Sequence, residues 1–338
     1  MAMVYRFKIV VVALLFALVS FSFANDFYPH TPSTKEFNET WSYQFVFDNG
    51  TRAFVSYSTL YIPGTGPKIG CELTFWNFNG KTYTVGRQYP PERLKASKAT
   101  ATIDIKGEYK MEGAPGINHR VLFTADKGGK FFLDLKFDSA LPGKNYTQMP
   151  WFIKGNKFSE QVHIPYGRVS GKIGYNSDTL TVKGYAYMDQ NWQTVQATDI
   201  AVRSICFSTN AQNPMYAGRI SISTEGKLIG YALYNDGSGV KVITPKRIQD
   251  GANIESASDY NGKKFPKEKL IITWNEDVPP LSFDVEKPFQ KASILDKVDG
   301  WLAKKAMKMV AGEILFYRGR SDGSNGKKID WSITGEKD

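Results

Sequence analysis

Apolar residues in this chain recur at every second position far more often than at every third or fourth. In KFFLDLKFD, Phe131, Leu133, Leu135 and Phe137 share one face, and ATATIDIKGEYKMEG alternates in the same way. That period predicts half-buried β-strands. WSYQFVFDNGTRAFVSYSTLYI carries two runs rich in aromatic and β-branched residues around Asn49-Gly50, and CELTFWNFNGKTYTV repeats the device at Asn79-Gly80. An Asn-Gly pair between such runs predicts a tight hairpin, because both residues accept positive φ. GRVSGKIGYNSDTLTVKGYAYMD adds further short strands. After Trp192 the pattern restarts with DIAVRSICFST, AGRISISTEGKLIGYALYN and GVKVITPKRI. It continues through EKLIITWNE and LSFDVEKPF and closes with GEILFYRGRS and KIDWSITGE. Strands at this spacing predict antiparallel barrels or sandwiches, and two such sets predict two β domains in tandem, joined near residues 190–200.

Two stretches depart from that pattern. In KASILDKVDGWLAKKAMKMVAGE, Leu295, Val298, Leu302, Ala306 and Met309 fall on one helical stripe, with lysines largely elsewhere. This predicts one amphipathic helix near the C-terminus, packed across the open side of a barrel; its basic face also suits peripheral contact with an anionic membrane. At the other end, MAMVYRFKIVVVALLFALVSFSFAND places Arg6 and Lys8 before an apolar run and a small-x-small site. That order is expected of a cleaved export signal, cut after Ala24, and so of a secreted or periplasmic protein. The expected organisation is a signal at 1–24, an N-terminal β domain at 25–194 and a C-terminal β domain at 195–338.

Composition narrows the chemistry. The formal charge is +10, two of it from Arg6 and Lys8, and the remaining lysines are scattered. A basic exported protein suits an anionic surface or an acidic ligand, and no nucleic-acid motif appears. Cys71 and Cys206 are the two cysteines, and pairing and separate burial are both open. Asn38, Asn49 and Asn145 match the glycosylation acceptor pattern. The three histidines, His30, His119 and His163, are far apart in sequence and lack metal-ligand spacing. GRSDG at Gly319 matches a nucleophile elbow by letter, but a turn follows it and no histidine lies downstream, so a hairpin turn is expected there. GTGPKIG at Gly64 lacks the helix start that would hold phosphate. Neither a metal nor a cofactor is expected.

The stretch GYAYMDQNW, Gly184 to Trp192, puts an acid, two amides and a large aromatic at the end of an alternating strand. Period two sets Tyr185, Tyr187 and Asp189 on one face and Gln190 and Trp192 on the other.

PYGRVSGKIG followed by LTVKGYAYMDQNW resembles the tandem lipocalin-like proteins typified by carotenoid 1,2-hydratases, AttH-like proteins and fungal Diels–Alderases. Pro165, Gly167, Gly171, Gly184, Tyr187, Asp189, Asn191 and Trp192 carry the resemblance. It implies two lipocalin-like antiparallel β-barrels with a cavity for an apolar molecule. In the hydratase branch a histidine and a tryptophan of this motif are implicated in the chemistry, with a downstream Asp and Tyr. Trp192 matches; the histidine position is Gln190, the following glycine is Gln193, and Tyr216 is the nearest downstream tyrosine. A glutamine amide hydrogen-bonds but cannot supply the proton that hydration needs.

The expectation is therefore binding of a hydrophobic small molecule or lipid. Trp192, Gln190, Tyr187, Asn191 and Tyr185 are the candidate ligand contacts, with Asp189 the one candidate acid. The alternatives are a hydratase, isomerase or cyclase acting on a polyene, and a structural surface protein with filled barrels.

Overall fold

The computed structural model describes residues 27–62, 66–250, 269–293, 295 and 314–336. The export signal lies outside the described residues. So does most of the stretch expected as an amphipathic helix, whose first residues, 291–293, end a strand.

The first half is one antiparallel sheet. Its strands are β1 (Asn38–Phe47), β2 (Arg52–Ile62), β3 (Gly66–Phe78), β4 (Lys81–Tyr89), β5 (Leu94–Ser97) and β6 (Thr102–Ile105). They continue with β7 (Tyr109–Glu112), β8 (Arg120–Asp126), β9 (Lys130–Ala140), β10 (Trp151–Ile153), β11 (Asn156–Tyr175) and β12 (Asp178–Gln193). The order is β4-β3-β2-β1-β12-β11-β9-β8-β7-β6-β5, with β10 added against β11. β4 and β5 end the order yet are neighbours in the chain, so the sheet curls back on itself. Tyr89 of β4 meets Tyr109 of β7, hydroxyl to hydroxyl at 2.9 Å. The predicted face of β9 (Phe131, Leu133, Leu135, Phe137) points into the barrel beside Phe45, Phe75 and Phe123. At Asn79-Gly80 both residues take positive φ, 50° and 77°, as a two-residue hairpin requires. At Asn49-Gly50 only Gly50 does, within a longer loop from Asp48 to Thr51.

A linker ending in a helical turn, Ala197–Ile200, leads to the second half. β13 (Ala201–Thr209), β14 (Met215–Ser223), β15 (Leu228–Asn235), β16 (Val240–Ile243), β20 (Gln290–Ser293), β21 (Ile314–Asp322) and β22 (Lys328–Glu336) form a curled sheet in the order β16-β15-β14-β13-β22-β21-β20. β17 (Pro245–Asp250), β18 (Lys269–Trp274) and β19 (Leu281–Asp284) form a small sheet. Leu270, Ile272 and Phe283 of that sheet pack on Phe207, Ile220 and Trp331 of the larger one. The whole is all-β: two tandem lipocalin-like antiparallel barrels.

Three smaller expectations meet their answers here. Cys71 is buried in the first barrel and Cys206 between the barrels, both unpaired. GRSDG is the end of β21, which runs straight on to Asp322 before turning, so no elbow forms. Asn38 is buried, its amide donating to the carbonyls of Glu36 and Val195 and accepting from the Tyr61 N–H, which removes it as a glycosylation acceptor.

Candidate functional site

β12 is the strand on which everything turns. It pairs with β1 on one side and β11 on the other. Val182, Ala186 and Met188 face the first barrel's core, whereas Tyr187 faces a separate cluster with Val162, Cys206 and Tyr231 between the barrels. The candidate residues divide accordingly, as period two dictates.

Gln190 points into the first barrel. Its amide N–H donates to Glu39 Oε1 at 2.7 Å, and its oxygen, Oε1, lies 2.6 Å from His163 Nε2. The amide oxygen can only accept, so His163 carries its proton on Nε2. Glu39, fully buried, also receives the His30 ring nitrogen at 2.6 Å and the His30 backbone N–H at 3.0 Å. A directed string results: His163 to Gln190 to Glu39, with His30 closing it from the rim. Trp192 stands at that rim, half-buried, stacked on Phe37 at 6.1 Å and tilted against His30 at 5.3 Å.

His163 reaches the interior because β11 bulges there: Val162 opposes Asp189 and Ile164 opposes Met188, leaving His163 as the extra residue. Bulges re-aim side chains in this way. The displaced backbone is held from both sides. Gly143 N–H donates to the His163 carbonyl at 2.9 Å, an approach so close that a Cβ on Gly143 would collide with the Val162 carbonyl. Val162 N–H donates to the Tyr231 hydroxyl of β15 at 2.9 Å, so the second barrel buttresses the bulge.

His119, also inside the first barrel, has Nδ1 2.7 Å from the Gly113 carbonyl and Nε2 2.9 Å from the Tyr43 hydroxyl. The carbonyl accepts only, so Nδ1 is protonated and Nε2 accepts from Tyr43. Burial pushes this imidazole down to about 4, which keeps it neutral. The ring of Phe27 lies edge-on to both imidazoles, to His119 at 5.5 Å and to His163 at 6.0 Å. The three histidines that looked unrelated in sequence thus gather around one end of one barrel. Tertiary folding alone brings them there, and no spacing rule could have found them.

The other face of β12 does different work. Asp189, fully buried, accepts from the Tyr187 hydroxyl at 3.0 Å and from Arg219 Nη2 of β14 at 2.8 Å. Arg219 Nε also lies 3.1 Å from Oε2 of Glu160, another fully buried carboxyl. Two acids share one guanidinium; burial, with Asp189 adding to it and Arg219 opposing it, holds the Glu160 carboxyl well above its ordinary range. Cys206 joins the same cluster through its thiol, pushed up to about 12 by burial. Tyr185 lies under the Arg168 guanidinium at 4.6 Å and against Tyr166. Asn191 pairs across the ladder with Thr40. Tyr216 sits in the second barrel's own core, its hydroxyl donating to the Pro279 carbonyl, away from Trp192. Between the barrels a cleft of about 10 Å³, room for one water, is lined by Tyr185, Tyr187 and Asp330 among others. A hollow of about 550 Å³ at Asp126–Lys130 and Asn176–Ser177 is an open dish between hairpin tips. Among the described residues no group of histidine, cysteine and acidic side chains is arranged to hold a metal.

No family model and no curated protein matches this chain. Solved structures do. A Nitrosomonas europaea protein assigned as an AttH superposes with a TM-score of 0.60 at 13% identity, covering 92% of this chain and 95% of its own. CghA in complex with Sch210972 gives 0.58 at 12%, covering 91% and 93%. Kievitone hydratase from Nectria haematococca gives 0.53 at 11%, covering 90% of each. Over nearly its whole length, then, this chain has the tandem lipocalin-like fold of those proteins, as the stretch from PYGRVSGKIG to GYAYMDQNW led one to expect.

Proposed function

We propose that the protein binds an apolar or amphipathic small molecule, a lipid or isoprenoid among the candidates, in the first barrel outside the cytosol. The observation that carries this is the string His163–Gln190–Glu39, buried at one end of a largely apolar interior. Buried polar groups cost free energy that an all-apolar filling would avoid. Their arrangement suits a ligand whose apolar body is taken from water while amides and imidazoles fix its polar end. Trp192 and His30 would form the entrance. The fold relatives support a ligand in this architecture: one is a hydratase, another is a complex with Sch210972.

The test is native mass spectrometry of the full chain after incubation with a lipid extract of its source. One equivalent of unchanged ligand is expected, and Gln190→Leu, which cuts the string, should lower its occupancy at least 10-fold. Recovery of no ligand would favour a structural protein with filled barrels.

A second reading rests on His163. It places a titratable imidazole 2.6 Å from the glutamine that stands where the resembled hydratases carry histidine. An imidazole can take up a proton and deliver it as imidazolium, which the Gln190 amide cannot do. That reading predicts a product 18 Da heavier than the ligand, lost in His163→Gln.

A further inference from the structure

Part of the packing inside the first barrel comes from outside the sheet. Phe27 and Tyr28 precede β1 and are buried to 1% and 7% exposure. The Phe27 ring lies edge-on to His119 and His163. Its carbonyl accepts from Trp41 Nε1–H at 2.9 Å. Trp41, on β1, is 1% exposed, so this indole N–H is a donor inside an apolar barrel. Such a donor requires an acceptor, and a segment entering from outside the sheet supplies it. Tyr28 packs edge-on against Phe27 at 5.7 Å and donates weakly to the Lys98 carbonyl at 3.3 Å.

We infer that Phe27 is an internal stand-in for the ligand, and that it reports the ligand's chemistry. Two features recur in whatever replaces it: a flat apolar ring edge-on to two imidazoles, and a carbonyl oxygen on the Trp41 N–H. In Phe27 two carbons separate ring and carbonyl. The ligand class is therefore a 3-arylpropanoyl compound, or one with a cyclic alkenyl ring at the same distance from its carbonyl. The His163–Gln190–Glu39 string lies beside the ring end, where it would meet a ring hydroxyl. Binding requires the Phe27–Tyr28 segment to leave, so the intact chain binds more weakly than its site allows, by the fraction of time the segment is out. The inference rests on the ligand-binding reading of the first barrel.

The probe is 3-phenylpropanamide, which reproduces the ring, the spacing and the carbonyl. In the full chain, Phe27→Ala with Tyr28→Ala should tighten its dissociation constant at least 10-fold by calorimetry. Adding Trp41→Phe to that variant should return it to the original level. Phe123→Ala opens a plain apolar hole in the same core; it should not match the gain. In the wild-type chain, millimolar probe should speed chymotryptic cleavage after Phe27, read by mass, and should not do so in Trp41→Phe. This second measurement decides the matter if the double variant fails to fold. Equal binding by Phe123→Ala, no gain in a folded double variant, or cleavage indifferent to the probe would each overturn the inference. If the lipid-extract experiment still returns a ligand that Gln190→Leu loses, the binding reading survives and only the stand-in falls.

Discussion

At the scale of single residues, the informative groups are those whose protonation departs from ordinary expectation. His119 is the clearest. Its Nδ1–H is committed to Gly113 and its Nε2 to Tyr43, and burial depresses it from 6.5 to about 4. The folded state therefore refuses a proton that the unfolded chain accepts. The stability this neutral imidazole contributes is full above pH 6.5 and is lost as pH falls toward 4, by about 3 kcal/mol in all. His119→Gln keeps a donor and an acceptor but cannot titrate. Urea unfolding at pH 7 and pH 4 should show the wild type losing about 3 kcal/mol more than the variant; equal losses would refute the assignment. The division of GYAYMDQNW was legible at this scale, because a strand alternates: Gln190 and Trp192 take one face, Tyr187 and Asp189 the other. The partners were not legible. Glu39 lies 151 residues from Gln190, and His163 lies 27 away. Local pattern says nothing about which residues a ladder register sets side by side.

At the scale of elements, the hairpin at Asn79-Gly80 and the core face of β9 follow directly from turn chemistry and period two. The bulge in β11 does not. Pro165 in VHIPYGRVS signals an irregularity, since it cannot donate to the ladder, and a second register shift follows between Ile164 and Gly167; it does not say that His163 is the displaced residue, where Gly143 and Tyr231 grip the backbone. Period two alone does not single out His163, which is why it is absent from the candidate contacts. The Tyr231 hydroxyl is the acceptor for a buried backbone N–H, and Tyr231→Phe leaves that N–H unpaired. Such an orphan costs about 1–3 kcal/mol. The expected result is a loss of that size in denaturant unfolding, together with weaker ligand retention in native mass spectrometry, because the bulge that presents His163 relaxes. Retention unchanged at reduced stability would separate the bulge from the site.

At the scale of the molecule, two barrels of separate cores meet at a seam that holds apolar contacts, the Arg52–Asp330 pair and a mostly buried charge cluster, Arg219 between Asp189 and Glu160. The motif that suggested a ligand site thus also fastens the halves, with one face of β12 turned to the first barrel's interior and the other to the seam. Three ionisable groups with one positive charge cannot all ionise cheaply in a dry interface, and Glu160 is the member that keeps its proton. Its Oε2 lies close to Arg219 Nε but out of line for a hydrogen bond, so the guanidinium stabilises its charge less than that of Asp189. The sign of the consequence follows. The folded state holds a proton that the unfolded chain, with an ordinary value of 4.5, has released, so stability falls as pH rises above 4.5 toward the folded value. The slope is at most about 1.4 kcal/mol per pH unit. Glu160→Gln imitates the protonated acid and removes that slope. Its melting temperature should equal the wild type's near pH 4.5 and exceed it at pH 8. A variant no more stable than wild type at pH 8 would mean that Glu160 is ionised and that the cluster is a true ion triad. Arg219→Met would then be expected to cost about 3–5 kcal/mol, the cost of leaving buried carboxylates unpaired. With Glu160 neutral, the cluster depends on the Arg219–Asp189 pair, and the Tyr231 grip on β11 falls within the same seam. A pH rise that loosens the seam should then loosen the bulge, so ligand retention in the first barrel should weaken with rising pH in the wild type and stay level in Glu160→Gln.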